Sequence, residues 1–353
     1  MAFDALRRIF RPWSHDSLLY EVTPRCNLRC AHCYNVWKDG TGYGTGELPT
    51  DRALELIRKA ARESRCRQLT LTGGEPTLRD DLERLVAEAK GSCDHVSLIT
   101  NGTRLPEARV QSLIAAGVSL FELPLHAADR AVHDRMVGEA GSFDRVTRAA
   151  AEIRYRGAEV AFVFVGTSAN IDLWPGALEL GIALGARGFL FNRYNAGGEC
   201  HGRSEALMPS VEQVRRGLEV AERLAVEHGV GIGASIAIPP CLIDPKPFPH
   251  VGFGFCAAGT DRAYYTIDPV GNVRPCNHTP TVLGNLFERP LREITRSPAL
   301  KRFMNARPAF CSGCRLETEC QGGCKAAAEA CTGSLEACDP FLELNRERAR
   351  RPA

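Results

Sequence analysis

The sequence predicts an α/β fold: a partial (β/α)6 TIM-like barrel with a cysteine-rich C-terminal extension. Strand-like apolar segments alternate with helix-like segments from residue 15 to residue 235, which indicates a parallel sheet with helices outside it. After residue 235 the alternation stops, and prolines and clustered cysteines replace it. We therefore expect an N-terminal segment at 1–14, the barrel at 15–235 and the extension at 236–353.

Six β/α units account for the barrel. Apolar, β-rich runs predict strands at 18–23, 68–72, 95–100, 118–125, 159–165 and 188–194. Helical periodicity predicts helices at 50–64, 80–90, 106–116, 143–156, 173–184 and 209–228, with Thr50 as the N-cap of the first. Six units suit a partial barrel better than a closed eight-unit one, and in such folds the loops after the strands carry the chemistry.

The segment after residue 235 has a different organisation. Prolines between residues 239 and 249 predict a stiff, irregular connection. Strand-like residues at 263–267 and 272–274 flank a turn ending at Gly271, which is typical of a β-hairpin. A polar helix is expected near 340–350.

Composition excludes several classes of protein. The net charge is only +2 and no dense Lys/Arg tract occurs, so no nucleic-acid partner is expected. No run of about 18 apolar residues is present, so no membrane span or membrane partner is expected. The basic start of the chain lacks the features of a secretory signal, which predicts a cytoplasmic protein. The chain has 15 cysteines. Because the cytosol is reducing, they are expected to bind metal rather than form disulfides.

Cys26, Cys30 and Cys33 form a C-x3-C-x2-C group directly after the first predicted strand. Three thiolates on one short loop can bind three irons of a cubane and leave the fourth iron open to a small molecule. The alternatives are a zinc knuckle, which His32 would complete, and buried free cysteines.

This motif, with the ring of His32 before the last cysteine, resembles that of the radical S-adenosylmethionine (SAM) superfamily. The resemblance implies a [4Fe–4S] cluster whose open iron chelates SAM. Reductive cleavage of SAM would then yield a 5′-deoxyadenosyl radical that takes a hydrogen atom from the substrate.

Two further segments fit the resemblance. Gly73, Gly74, Glu75 and Pro76 follow the second strand and resemble the family's GGEP motif, whose backbone holds the SAM amino group. Thr100 and Asn101, at the end of the third strand, resemble a family element that lines the SAM pocket.

The chain departs from the family pattern after the fourth strand. Relatives often show serine-leucine-aspartate-glycine there, whereas this chain has Pro124, Leu125, His126 and Ala127, so the serine contact to SAM is absent. His126 either faces the substrate as a proton acceptor or hydrogen-bond donor, or is a structural histidine. Further along the chain, two more candidates for SAM contacts occur. Arg145 is a candidate partner of the SAM carboxylate and Asn170 a candidate SAM contact, although a surface arginine and a turn asparagine would suit the same positions.

The later cysteines resemble the SPASM extension of radical SAM enzymes, because five spacings and the hairpin glycine Gly271 match together. The resemblance implies two auxiliary [4Fe–4S] clusters, three clusters in all. The first would be held by Cys256, Cys276 and Cys324, and the second by Cys311, Cys314, Cys320 and Cys338. A double zinc ribbon is the alternative.

The first auxiliary set is one ligand short. Cys241 or Cys331 would fill the place, or the iron would be open to substrate. Cys66, Cys93 and Cys200 match no motif and are expected in the core or in a pocket.

The resemblance implies an enzyme that modifies a ribosomally made peptide by forming a crosslink or thioether or by epimerisation. The alternatives are oxidation of a small-molecule alcohol such as an aminocyclitol or sugar, and a non-catalytic iron–sulfur electron carrier, against which the GGEP-like segment argues. Only 25 residues precede Cys26, so a separate peptide-recognition protein or a small-molecule substrate is expected. An external one-electron reductant of the flavodoxin or ferredoxin type is expected as well.

Overall fold

The structure is a computed structural model, and it describes residues 15–38, 43, 46–198, 204–260 and 262–345. The segment expected at 1–14, Cys200 and residues 346–353 lie outside the described residues.

The described strands form one open sheet. They are β1 (Ser17–Glu21), β2 (Gln68–Thr72), β3 (His95–Ile99), β4 (Leu120–Pro124), β5 (Glu159–Gly166), β6 (Gly188–Arg193), β7 (Gly231–Ala234), β8 (Val251–Phe253), β9 (Thr266–Ile267), β10 (Asn272–Arg274) and β11 (Gly284–Asn285). Their order is β11-β10-β9-β1-β2-β3-β4-β5-β6-β7-β8. All neighbours from β1 to β8 are parallel, and β8 does not pair back onto β1, so the predicted partial barrel is confirmed.

Helices connect the strands. They are α1 (Thr50–Ser64), α2 (Leu82–Ser92), α3 (Glu107–Ala116), α4 (Arg130–Val137), α5 (Ser142–Tyr155), α6 (Trp174–Ala183), α7 (Ser204–Leu207), α8 (Val211–His228), α9 (Leu291–Ile294), α10 (Pro298–Asn305), α11 (Glu317–Cys320), α12 (Lys325–Thr332) and α13 (Pro340–Glu343). In α1 the buried residues Ala53, Leu56, Ile57 and Ala60 recur at helical spacing, and they pack in the same core as the sheet.

Strand β5 shows how the sheet separates core from barrel interior. Phe162 and Phe164 are fully buried in the core, whereas Val163 and Val165, which alternate with them, line the cavity inside the barrel. This period-two alternation is what a strand with two different faces requires.

Two predicted elements match to the residue, the helix Thr50–Ser64 and the strand Gln68–Thr72, and the other barrel elements match within about two residues. Thr50 was predicted as the N-cap of α1, and this is wrong: Pro49 occupies that position without a side-chain hydrogen bond, and Thr50 begins the helix.

Helix α4 and strands β7 and β8 are among the elements that the sequence pattern did not predict. Asp129 is the N-cap of α4, and its carboxylate accepts a hydrogen bond of 2.8 Å from the Val132 amide. Strands β7 and β8 extend the parallel sheet beyond six units. They pair with each other although they lie on opposite sides of the predicted domain boundary at residue 235. Both are short and glycine-containing, so their sequences carry a weak strand signal.

The extension joins the sheet at its other side. The predicted hairpin is confirmed as the antiparallel pair β9–β10, with Asp268 Oδ1 accepting from the amides of Val270 and Asn272 and Gly271 at φ +94°. Strand β9 pairs in parallel with β1, so the extension continues the barrel sheet. The predicted C-terminal helix spans Pro340–Glu343 in the described residues.

Among the described residues, no helix has both the length and the apolar character that crossing a bilayer would need.

Candidate active site

Cys26, Cys30 and Cys33 lie on the loop that follows β1, at the carboxyl end of a parallel strand. All three are partly exposed, and none of them forms a disulfide bond. The Leu28 amide donates to the Cys26 Sγ at 3.5 Å, and the Cys33 amide donates to the Cys30 carbonyl oxygen at 3.3 Å. These tight turns keep the three sulfur atoms on one short loop.

Gly73 and Gly74 allow close backbone contact between the loop after β2 and the start of the cysteine loop. The Gly74 amide donates to the Thr23 carbonyl oxygen at 2.8 Å, and the Glu75 amide donates to that of Arg25 at 2.7 Å. A Cβ on Gly74 would lie 2.2 Å from the Arg25 oxygen, and one on Gly73 would lie 2.4 Å from the Thr23 oxygen. Both positions therefore exclude any larger residue.

The Glu75 carboxylate connects the loops after β2 and β3 through hydrogen bonds. It is fully buried and accepts hydrogen bonds from the Thr77 amide (3.0 Å) and hydroxyl (2.6 Å), the Thr100 hydroxyl (2.7 Å) and the Asn101 amide (2.7 Å). Pro76 begins the short 3-10 helix that presents Thr77. The structure thus brings Glu75, Thr100 and Asn101 together as a rigid platform beside the cysteine loop.

The end of α4 holds the other side of the cysteine loop. The Arg29 amide donates to the Val137 carbonyl oxygen at 3.2 Å, and the Ala31 amide donates to that of Met136 at 2.9 Å. Gly138 follows at φ +73°, and a Cβ there would lie 2.8 Å from the Arg29 oxygen. The cysteine loop is therefore held between α4 and the glycine segment after β2, Gly73–Gly74.

Three histidine rings form a row that starts at His32 of the cysteine loop and continues through the buried His126 and His133. The ring centroids of His32 and His126 are 4.4 Å apart, and those of His126 and His133 are 5.6 Å apart. The Val165 amide donates to His126 Nδ1 and the His126 amide to His133 Nδ1, so both neutral rings carry their proton on Nε2. Burial lowers the pKa of His32 and of His133 to about 4, and it lowers that of His126 well below its usual range.

Burial also decides which of these rings can meet a substrate. His126 is only 2% exposed and does not line the barrel cavity, whereas His32 does. His32 therefore lies at the cavity wall, and His126 contacts it from the side away from the cavity.

Arg145 and Asn170 are engaged with the chain itself. The Arg145 guanidinium bonds the Glu139 carboxylate at 3.2 Å and the Ala140 carbonyl oxygen at 3.3 Å. Asn170 is buried; its Oδ1 accepts from the amide and hydroxyl of Thr167, and its Nδ2 donates to the carbonyl oxygens of His126 and Val165. Asn170 thereby ties the end of β4 to the end of β5.

A cavity of about 390 Å³ lies inside the barrel, within the size range of small-molecule sites. Its polar lining residues come from the cysteine loop, the sheet and the extension, and they include His32, Tyr34, Glu122, Arg193, Tyr264 and His278. The rings of Tyr34 and His278 stack with centroids 3.7 Å apart, which joins the cysteine loop to the extension. Burial raises the pKa of the Glu122 carboxyl to about 7.

The first auxiliary set adjoins this cavity. Cys256, Cys276 and Cys324 line a smaller cavity of about 50 Å³, and Tyr264 and His278 line both cavities. The Cys324 Sγ accepts a hydrogen bond of 3.4 Å from Asn195 Nδ2. Neither of the two expected candidates for a fourth ligand, Cys241 and Cys331, is among the described residues that line it.

The second auxiliary set surrounds a separate cavity of about 260 Å³. Cys311, Cys314 and Cys320 line it as the spacing predicts, and Cys241 is the fourth cysteine in its wall. Cys338, which the resemblance assigns to this set, is not among the described residues that line it.

The described cysteines fit iron–sulfur clusters in their chemistry. None of them forms a disulfide, and thiolate sulfur is the usual ligand of such clusters. In the part of the chain that the structure describes, no three His, Cys, Asp or Glu side chains close around a single ion. Cys66 and Cys93 lie in the core, with their Sγ atoms 3.1 Å apart.

The sequence alone did not single out several of the cavity residues. Glu122 carried a signal, because it is the one charged residue inside the apolar strand β4. Tyr34, Tyr264 and His278 carried none, since their roles depend on contacts between segments far apart in the chain.

Comparisons with known proteins identify the family. Residues 20–179 match the model of the Radical SAM superfamily, and residues 256–321 match the SPASM iron–sulfur cluster-binding domain. PqqA peptide cyclase from Xanthomonas oryzae pv. oryzae is 30% identical over 342 residues, which cover 95% of this chain and 89% of the relative. The chain belongs to the radical SAM superfamily.

The predicted superfamily and SPASM extension are thus confirmed, and the chain is an enzyme whose cofactors are [4Fe–4S] clusters and SAM. A second relative, PqqA peptide cyclase from Granulibacter bethesdensis, is 30% identical over 337 residues, 93% of this chain and 87% of its own length.

Solved structures show the same fold. Streptococcus suis SuiB bound to its precursor peptide SuiA aligns with a TM-score of 0.73 and 16% identity, covering 96% of this chain and 78% of SuiB. The anSMEcpe structure with bound AdoMet aligns with a TM-score of 0.70 and 18% identity, covering 94% of this chain and 95% of that one.

Proposed function

We propose that this enzyme modifies a ribosomally made peptide by radical chemistry, forming a crosslink or thioether or epimerising a residue. The observation that carries the proposal is the likeness to PqqA peptide cyclases over nearly the whole chain, barrel and extension together. The barrel cavity supports it, because about 390 Å³ accommodates one or two peptide side chains near the cysteine loop.

In this proposal Cys26, Cys30 and Cys33 hold the cluster that binds SAM. SAM and the reduced cluster, when bound, supply a 5′-deoxyadenosyl radical for hydrogen abstraction. The chain's own contribution is position: Gly73 and Gly74 set the distance between two loops, and Glu75 fixes the platform of Thr100 and Asn101.

Arg145 and Asn170 are proposed as supports of the SAM pocket. Asn170 acts through the backbone at the end of β4, because its amide group is already fully hydrogen-bonded within the chain. Arg145 would have to exchange Glu139 for the SAM carboxylate.

The substrate residue is proposed to lie among His32, Glu122 and Tyr264. With a pKa of about 7, the Glu122 carboxyl can accept a proton from the substrate at neutral pH. His32 and His126 are neutral there and can serve as hydrogen-bonding groups rather than as charges. His126 would act by positioning the ring of His32.

Two auxiliary clusters are proposed in the extension, so the enzyme would hold three. The first, at Cys256, Cys276 and Cys324, adjoins the barrel cavity and is placed to receive an electron from the substrate. A flavodoxin- or ferredoxin-type protein is the proposed reductant, a separate protein is proposed to present the peptide, and the reducing cytoplasm is the proposed location. Residues 15–235 and 236–353 are the proposed domains, joined by one sheet.

The test uses anaerobic protein, SAM, dithionite and synthetic peptides encoded by short reading frames beside the gene. A crosslink or thioether would remove two hydrogen atoms from one peptide, and epimerisation in deuterated water would introduce deuterium. Mass spectrometry measures both. If SAM is cleaved but every such peptide is unchanged, and a small alcohol is oxidised instead, the peptide proposal is overturned.

A further inference from the structure

The cavity of the second auxiliary set has four cysteines in its wall, but not the four that the spacing assigns. Three of them, Cys311, Cys314 and Cys320, come from one short stretch of the extension. The fourth, Cys241, comes from the connection between β7 and β8.

The position of Cys241 is fixed by its neighbours. The amides of Leu242 and Ile243 both donate to the Pro239 carbonyl oxygen, which makes a tight turn. Leu242 and Ile243 are buried in the core, and Arg215 of α8 donates to the Leu242 carbonyl oxygen at 3.4 Å. The turn is thus anchored on both sides of the thiol.

The four cysteines line one cavity and interact electrostatically. Cys241 interacts electrostatically with Cys314 and Cys320, and Cys311 interacts with all three. Gly322, at φ +85°, packs beside this set: a Cβ there would lie 2.5 Å from the Pro308 Cδ and 3.8 Å from the Cys311 Sγ. Four thiols around one cavity form a complete ligand set for a [4Fe–4S] cluster.

The C-terminal segment meets this cavity with an apolar side chain. Leu342 lines the wall, whereas Cys338 does not. Asp339, next to Cys338, is fully buried, pairs with Arg193, and accepts a hydrogen bond of 2.8 Å from the Cys324 amide. The chain at Cys338 is therefore tied to the side of the first auxiliary set.

We propose that Cys241, in place of Cys338, is the fourth protein ligand of the second auxiliary cluster. This inference rests on the proposed function for the existence of that cluster. It makes the second cluster fully ligated, and it links the connection between β7 and β8 to the later cysteines of the extension through iron. It also removes Cys241 from the first auxiliary set, which keeps three cysteines beside the barrel cavity.

The test counts iron rather than turnover. All variants are built in a chain that carries Cys26→Ala, Cys30→Ala and Cys33→Ala, so that only auxiliary clusters contribute iron. After anaerobic reconstitution, the iron content per chain is measured and Mössbauer and EPR spectra are recorded. Cys241→Val, which keeps the volume but not the ligand, should lose about half of the iron or show a three-iron cluster. Cys338→Val, the matched control, should keep the parent iron and spectra.

Cys241→Asp separates ligation from packing. A carboxylate can ligate iron, so this variant should regain the second cluster with a shifted midpoint potential, whereas a packing role would not be restored by a charged side chain. The inference is overturned if Cys241→Val keeps full iron and unchanged spectra, or if Cys338→Val loses the same cluster. If the background chain itself holds no auxiliary iron, the auxiliary clusters of the proposed function fail instead.

Discussion

At Gly74 the backbone of one loop touches the backbone of another, so a single methyl group there is expected to be damaging. Gly74→Ala would place a Cβ 2.2 Å from the Arg25 carbonyl oxygen, so the cysteine loop must shift. We expect a loss of about 1–3 kcal/mol of unfolding free energy, together with weaker iron binding at Cys26, Cys30 and Cys33. Urea unfolding and iron analysis measure the two effects.

The control is Gly91→Ala in the last turn of α2, where an added Cβ meets nothing within 4 Å. It should stabilise the protein by about 0.5–1 kcal/mol and leave the iron content unchanged. Equal iron binding in Gly74→Ala and Gly91→Ala would show that the glycine contact does not position the cysteine loop.

Glu122 gives a pH-dependent prediction. Because burial raises the pKa of its carboxyl in the folded protein from 4.5 to about 7, the folded state binds more protons than the unfolded state between these values. Its contribution to stability is therefore fully present below about pH 4.5 and is lost as the pH rises through 7. Glu122→Gln should be more stable than the parent above pH 7, and the difference should shrink toward pH 4.5.

Denaturant midpoints of both proteins across this pH range provide the measurement. A difference between them that stays constant with pH would mean that the Glu122 carboxyl titrates normally in the folded protein.

At the residue scale, the sequence predicted what lies close along the chain. The spacing of Cys311, Cys314 and Cys320 was enough to group them, because all three come from one short stretch. The position of Cys241 beside them was not predictable, since it depends on a turn packed against α8 from another part of the chain. The spacing also could not show that Leu342, and not Cys338, faces the second cavity.

At the scale of elements, a buried ion pair connects the extension to the barrel. Glu21 at the end of β1 pairs with Arg274 at the end of β10, and both side chains are at most 2% exposed. Glu21→Gln leaves the guanidinium buried without its partner charge, which should cost about 3–5 kcal/mol of unfolding free energy. Replacing both partners, by Glu21→Leu and Arg274→Met, should cost less than the single change.

Urea unfolding tests this with an exposed pair as the control. Arg223 and Glu227 form an ion pair on α8, and Glu227→Gln should cost only about 0.3–0.5 kcal/mol. If Glu21→Gln costs no more than Glu227→Gln, the buried pair does not hold the extension to the barrel.

The elements that were predicted well are those with a strong local pattern. Helix α1 repeats its apolar residues at helical spacing, and β2 is an unbroken β-rich run. By contrast, β7 consists of Gly231–Ala234, which has almost no strand propensity and is extended because it pairs with β6 and β8. Tertiary pairing, which a local pattern does not contain, decides such segments.

At the scale of the whole molecule, one sheet connects three groups of cysteines. The cysteine loop follows β1, and β9 pairs with β1 from the other side, so the extension begins next to that loop. Contacts then run from Tyr34 to His278, from His278 to Asn195, and from Asn195 to Cys324. This path borders the barrel cavity, so a substrate there would lie between the first cysteine group and the first auxiliary set.

We infer that Cys26, Cys30 and Cys33, held by Gly73, Gly74 and α4, form the place where SAM is cleaved. The most direct measurement is 5′-deoxyadenosine formation from SAM and dithionite under anaerobic conditions. The parent protein should produce it, whereas the triple variant Cys26→Ala, Cys30→Ala, Cys33→Ala should produce none while it retains auxiliary iron. Continued 5′-deoxyadenosine formation by the triple variant would show that these three cysteines are not the site of SAM cleavage.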